Sequence, residues 1–430
     1  MSSAILTESK TEKGLPWCRE DTLWVLGIYG TAVGSGSLFW PISLGLAGFW
    51  PMLILSLLSF PMTYLTYRAL ARLIQAGSYG NGKDGNILDT VDEFLGPKWG
   101  KFFTFCYFAT VFPAATVYTI TVANTLIDLI HTQLGMGLLP RYIAAPLVVG
   151  VLTIIGALGV AVILRFMALI VFPFIISLVF FGIVSIPYWN PSFMTTAEGF
   201  GGAGGLLASC FHALPMVVFA FSFTSIVSSF VVAQKKRYGS NSAYKVTQIL
   251  FVAVAIVVVT VVFFAWSSIF ALSPAEITQA KVENLTVLSF LARKFDSPAL
   301  ALAPQIIVFF AATKAFFAQY LATEESIKSF ARMSLHIPAA QVNSALFTWG
   351  VALIIFLICT ATTLANFNVL KLIKVALVPV SIFIAYYMPQ YAFYKVPALA
   401  KYRGGFVNWF ILAIGTLCLA NGLIAIFWRG

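Results

Sequence analysis

Long apolar runs separated by short polar stretches organise this chain. Eleven candidate helices follow, over residues 23–48, 50–75, 101–133, 142–162, 166–187, 205–232, 247–271, 299–322, 341–364, 369–389 and 407–427. Each is close to or above the roughly 20 residues that cross a bilayer. Backbone in hydrocarbon must satisfy its own N–H and C=O groups, so each run is expected to be helical. A membrane barrel would instead show short alternating strands. The run at 101–133 is long for a bilayer and is expected to tilt or overrun it.

Composition agrees with this pattern and removes other classes. The 430 residues are 60% hydrophobic and 10% charged, with 40 Phe, and the mean hydropathy is +0.93. An ordinary globular chain carries about 25% charged residues. A soluble enzyme, a secreted disulfide scaffold and a disordered protein are thereby excluded. The expectation is an all-α polytopic membrane protein. The first twenty residues are polar and lack a short apolar core with a cleavage site, so no removable signal peptide is expected. Cys18, Cys106, Cys210, Cys359 and Cys418 are too scattered for a metal site or redox pair, and four of them read as small hydrophobes in apolar runs.

The net charge of +11 has no basic face or binding module to tie it to nucleic acid. It follows instead from topology. With the N-terminus inside, about 18 of the 26 Lys and Arg fall on the inner side and about 7 outside. Lys235, Lys236 and Arg237 are part of that inner excess. The bias predicts a cytoplasmic N-terminus and a periplasmic C-terminus.

Two of the runs are interrupted. Gly34, Ser35, Gly36 and Ser37 stand in the middle of the first, where glycine and serine weaken a helix. Pro215 and the stretch Ser222-Phe223-Thr224-Ser225 interrupt the sixth. These interruptions lie about 185 residues apart, and the third and eighth runs start about 200 apart. The spacing suggests two five-helix halves, 23–187 and 205–389, between a tail at 1–22 and an eleventh span at 407–427. Five crossings is odd, so the second half enters from the opposite side. Paired broken helices in inverted halves point to a transporter's central site. The alternative is close helix packing, which glycine also permits.

These residues carry a resemblance. The run WVLGIYGTAVGSGSLFWP over 24–41 resembles the first helix of the hydroxy and aromatic amino acid permease family, which includes bacterial serine transporters. Phe60-Pro61-Met62-Thr63 with Arg68 resembles its second helix. Leu214-Pro215 through Phe221, followed by Ile226 through Phe230, resembles its sixth. Thr313-Lys314 through Leu321 resembles its eighth, and Met388-Pro389 with Lys395 through Leu399 its end region. The resemblance covers nearly the whole chain. It places the chain in the amino acid–polyamine–organocation superfamily. It implies about 11 transmembrane helices in a LeuT-like 5+5 inverted repeat with discontinuous helices 1 and 6, and proton-coupled amino acid uptake across a bacterial inner membrane. There are departures. Relatives often read Asn-His-Ser-Pro after the position of Phe221, where this chain has Ser222-Phe223-Thr224-Ser225. They often carry Glu-Thr-Leu-Gly-Gly-Pro where it has Lys374 through Pro379. An amino acid is thus better supported as cargo than serine in particular.

An amino acid presents a carboxylate and an ammonium, and a broken helix offers free N–H and C=O groups for both. The carboxylate is assigned to the backbone at Gly34, Ser35, Gly36 and Ser37, and the ammonium to carbonyls near Thr31, Ala32 and Ala220. Hydroxyls of Ser222, Thr224 and Ser225 suit a polar substrate side chain. Phe219, Phe221 and Phe223 suit an apolar one, or serve only packing. Tyr118 faces the path if the resemblance holds, or packs. No Asp or Glu lies deep in a predicted span; Asp128 comes nearest.

Lys314 stands about 8 residues from the inner end of the eighth run, near 12 Å deep at 1.5 Å per residue. Intramembrane charge is costly and commonly functional. In the fold that the resemblance implies, helix 8 meets the helix 1 break where relatives bind sodium. The ammonium of Lys314 would stand in for that cation and carry the coupling proton, since desolvation disfavours the charged form. A permanently charged structural role is the alternative. His212 either relays protons or bonds a neighbouring helix.

The reading is a secondary active transporter, not an enzyme, importing a neutral amino acid by proton symport and alternating access, with serine or threonine favoured. An aromatic or other neutral amino acid, or a sensor that binds without transport, are the alternatives. No metal or cofactor is expected. The proton gradient supplies the energy, with sodium left open as coupling ion. The expected partners are the substrate and membrane lipid, with oligomeric state left open.

Overall fold

The computed structural model describes residues 15–78, 87–133, 135, 137, 139–195, 202–292, 298–335 and 337–427. Twenty α-helices and no strand occur among them. In the first half, α1 (Arg19–Ala32), α2 (Ser35–Ala47), α3 (Phe49–Ala76), α4 (Ile87–Leu95), α5 (Pro97–Asp128), α6 (Arg141–Ala157) and α7 (Val160–Val184) follow in order. A short α8 (Ser192–Thr195) leads to α9 (Gly202–Ala220), α10 (Thr224–Tyr238) and α11 (Ser242–Phe270). Then come α12 (Pro274–Val282), α13 (Val287–Leu291), α14 (Pro298–Ser334), α15 (Ala339–Val342) and α16 (Ala345–Ala365). The chain ends with α17 (Val369–Leu372), α18 (Val378–Ile382), α19 (Met388–Lys395) and α20 (Phe406–Phe427), and π-helical turns join α17, α18 and α19.

The helices fall on the predicted apolar segments, and the all-helical membrane class holds. Among the described residues, seven are long and apolar enough to span a membrane, the bent pair α1–α2 makes an eighth, and 141–157, 173–188 and 204–220 are shorter apolar helices. Large apolar side chains such as Leu147, Ile183, Leu353 and Leu357 lie exposed on the outside. Water would penalise such a surface; lipid does not.

Both predicted interruptions are breaks. α1 stops at Ala32, Val33 and Gly34 are extended, and α2 resumes at Ser35, bent by 53°. α9 stops at Ala220 and α10 starts at Thr224. Pro215 does not break the helix but lies within α9. The α1–α2 pair sits inside the bundle against α7, α9, α10, α11 and α14, while α5 and α14 share the most extensive contact. The broken first helix is therefore held by the continuous helices α7, α11 and α14 and by both halves of the second broken one.

One expectation needs correcting. The eighth run was expected to end near residue 322, but α14 continues to Ser334. Lys314 is thus 20 residues from its end, about 30 Å along the axis rather than 12. Glu324 and Glu325 also fall within this helix, where Glu324 pairs with Lys328 at 2.5 Å. The apolar signal fades before the helix does, because its last turns carry charge.

Candidate functional site

The two breaks face each other across close contacts. A Cβ on Gly36 would stand 2.7 Å from two ring carbons of Phe219 and 3.4 Å from Ala220 Cα. One on Gly34 would stand 3.0 Å from Ala315 Cβ and 3.4 Å from the Tyr118 hydroxyl. Only glycine lets α5, α9 and α14 approach the first break this closely. Its exposed donors are partly satisfied locally: Gly34 N donates to Ser37 Oγ at 3.1 Å, and that hydroxyl donates back to Gly34 O at 3.1 Å. Thr31 donates within its own helix, to Gly27 O at 3.0 Å, and Ala32 is buried. The Ser35 side chain lies outside the described residues.

The second break is clasped by a residue that the sequence reading did not single out. The Tyr67 hydroxyl donates to Ser222 Oγ at 2.9 Å, accepts from Phe223 N at 3.0 Å and lies 3.1 Å from Thr224 Oγ1. Its ring stacks on Phe223 with centroids 3.8 Å apart. A buried tyrosine needs a partner for its hydroxyl, and this one supplies the unwound backbone with an acceptor. The sequence signal was modest: a tyrosine one position before Arg68 in an apolar helix.

A cavity of about 30 Å³ lies beside the second break, with room for roughly one or two waters. Tyr118, Phe219, Ser222 and Thr224 line it, together with Ser225, Thr110, Gln319 and Ser381, which bring further polar groups. Its described wall holds no carboxylate, ammonium or guanidinium. Other candidates are not on that wall. Phe221 packs edge-on against Trp40 at 5.2 Å, Phe223 is taken up by Tyr67, and Ala220 is fully buried. Residues 34–37 are not on that wall, but Gly34 and Gly36 lie against Tyr118 and Phe219, which are.

Larger cavities flank the centre on both faces. Toward the start of α1, one of about 370 Å³ includes Trp24, Ser225, Ser228, Lys236 and Glu325. Ser225 borders this cavity and the central one, so a single layer of side chains divides them there. Toward the end of α2, a cavity of about 460 Å³ includes Leu46, Ala47 and His212. His212 stands 3.4 Å from Asn421 Nδ2.

Lys314 is completely buried. Its ammonium donates to Val33 O, at the break of α1 and α2, at 3.3 Å, and lies 4.9 Å from the centre of the Phe174 ring. It stands 3.5 Å from the position of a Cβ on Gly30. A side chain that carries a charge thus touches the unwound segment itself. Asp128, the acid nearest a span interior in the sequence reading, is taken up by Gln305.

A bundle of apolar helices with two facing interruptions and a small polar chamber is the arrangement of a transporter for small solutes. Residues 23–428 match the family of transmembrane amino acid transporter proteins. The chain is 34% identical over 417 residues to the serine transporter SdaC of Escherichia coli K12, covering 96% of each chain. The same protein of Shigella flexneri is also 34% identical over 417 residues, again covering 96% of each. This chain therefore belongs to the transmembrane amino acid transporter family, whose members are transporters rather than enzymes.

Proposed function

We propose that this chain imports serine or a closely similar neutral amino acid together with a proton. The membrane is a bacterial inner membrane, with the N-terminal face in the cytoplasm and the C-terminus in the periplasm. The two five-helix halves, 23–187 and 205–389, form an inverted repeat around the breaks, and 407–427 is an eleventh span. Access alternates between the flanking cavities while the small central chamber widens to take the substrate.

The observation that carries this reading is Lys314, fully buried and bonded to the Val33 carbonyl at the helix break. A lone ammonium held by a neutral carbonyl is costly in an apolar interior. Gaining and losing its proton would tighten and loosen the hold on the broken helix, which links the proton to the substrate site. The chamber wall favours small cargo. Hydroxyls of Ser222, Thr224 and Ser381 surround a void bounded by the Phe219 ring. The name of the similar serine transporters points the same way. The substrate carboxylate goes to the backbone donors at 34–37 once Tyr118 and Phe219 swing aside, and the ammonium to carbonyls near Thr31, Ala32 and Ala220.

The test is uptake of labelled serine into proteoliposomes, driven by an imposed pH gradient with and without sodium. Wild type is expected to accumulate serine without sodium. Lys314→Ala is expected to retain exchange of internal for external serine and lose acid-driven accumulation. Undiminished acid-driven accumulation in the variant removes the coupling role. Strict dependence on sodium reassigns the coupling ion, and preference for tryptophan or tyrosine in competition reassigns the cargo.

A further inference from the structure

The largest of the described cavities, about 460 Å³, lies beside the centre on the face away from the N-terminus. Three lysines line it: Lys281 from α12, Lys371 from α17, and Lys374 from the π turn that follows. Lys371 and Lys374 are three apart, a spacing that puts both on one side of a helix. No Asp or Glu is among the lining residues, and none of the three ammonium groups has an ion pair or side-chain hydrogen bond among the described residues. Three like charges around one apolar-walled cleft focus a positive potential that an anion relieves.

The cleft also adjoins the central chamber, although the two have no lining residue in common. In α9, Met216 lines the vestibule and Phe219 lines the chamber, less than one turn further on. In the π turn, Lys374 lines the vestibule and Leu377 lines the chamber. A solute passing between this face and the centre crosses the lysines first. The volume suits a small molecule.

We infer that this vestibule is a second substrate site, in which Lys281, Lys371 and Lys374 hold the carboxylate of an amino acid before it reaches the central chamber. The inference rests on the proposed serine transport. A zwitterion has no net charge, so the lysines do not draw it from a distance. They orient it locally, carboxylate toward the ammonium groups, and each such charge-assisted contact adds to residence.

The experiment counts labelled serine bound per purified full-length chain, with acetate, serinamide and chloride as competitors. Wild type is expected to bind two serines, the weaker displaced by acetate and not by serinamide. Lys371→Gln combined with Lys374→Gln is expected to keep the tighter serine and weaken the other about a hundredfold, roughly tenfold for each charge-assisted contact removed. Arginine at both positions is expected to restore it. A single serine per wild-type chain overturns the inference and leaves serine transport standing. Two serines unaffected by the glutamine pair overturn it equally, as does chloride competing as well as acetate. No bound serine in wild type, together with no serine uptake in proteoliposomes, overturns the transport reading and this inference with it. If the glutamine pair does not fold, displacement by acetate but not serinamide in wild type decides alone.

Discussion

The start of α1 is locked to the ends of two other helices by a buried ion pair, and removing one partner should open that face. Lys245 Nζ lies 2.8 Å from Asp21 Oδ2, with the two side chains 0% and 1% exposed. Lys245 also donates to Pro16 O at 2.9 Å, and Tyr238 donates to Asp21 Oδ1 at 2.7 Å. The Cys18 thiol stands 3.0 Å from the Tyr238 hydroxyl. The cluster thus ties α1 to the end of α10 and the start of α11. Breaking a buried pair by deleting one partner costs about 3–5 kcal/mol, because the other charge is left without compensation. In a state where this face is open, water reaches the remaining charge and relieves part of that cost. If about 2 kcal/mol is relieved, Lys245→Met raises the ratio of open to closed by roughly thirtyfold. Cys18 is a native reporter, half-buried in the clasp. The rate of its labelling by an impermeant maleimide, in detergent and at fixed thiol-reagent concentration, should rise by the same factor. Asp21→Asn combined with Lys245→Met removes both charges and should label more slowly than Lys245→Met alone. An unchanged Cys18 rate in a Lys245→Met chain with a normal melting temperature would refute the clasp. So would a double variant as open as the single one.

Other substitutions probe the centre. Tyr67→Phe deprives the Phe223 amide of its acceptor, and should destabilise the chain by about 1–3 kcal/mol and weaken serine exchange, read by thermal melting and counterflow. Gly36→Ala drives a methyl group against the Phe219 ring and should cost about 1–3 kcal/mol. Adding Phe219→Leu should recover part of the lost melting temperature, and no recovery would mean that the ring is not what the methyl meets. Lys314→Ala should separate exchange from acid-driven accumulation, as set out above.

Much of the site was legible along the chain because its signals are local. Glycine and serine inside an apolar run mark Val33 and Gly34 as a break wherever the helix packs, and Ser222 with Phe223 mark the other within a residue or two. A lysine inside such a run is conspicuous whatever surrounds it. Tyr67 was not legible, since nothing near it in sequence distinguishes a tyrosine that clasps a break 156 residues away from one that merely packs. The lysine vestibule was missed for the same reason: Lys281 lies between two predicted runs and Lys371 at the start of another, and nothing along the chain brings them to one cleft.

What the sequence determined by itself was the class and the positions of the weak points, because hydrophobic runs and helix-breaking residues act over a few neighbours. Only the tertiary structure decided what fills those weak points. Val33 O meets Lys314 across 281 residues, and Gly36 meets Phe219 across the bundle. Such contacts depend on how separate helices pack, and packing is settled by shape and by the partners each buried polar group must find.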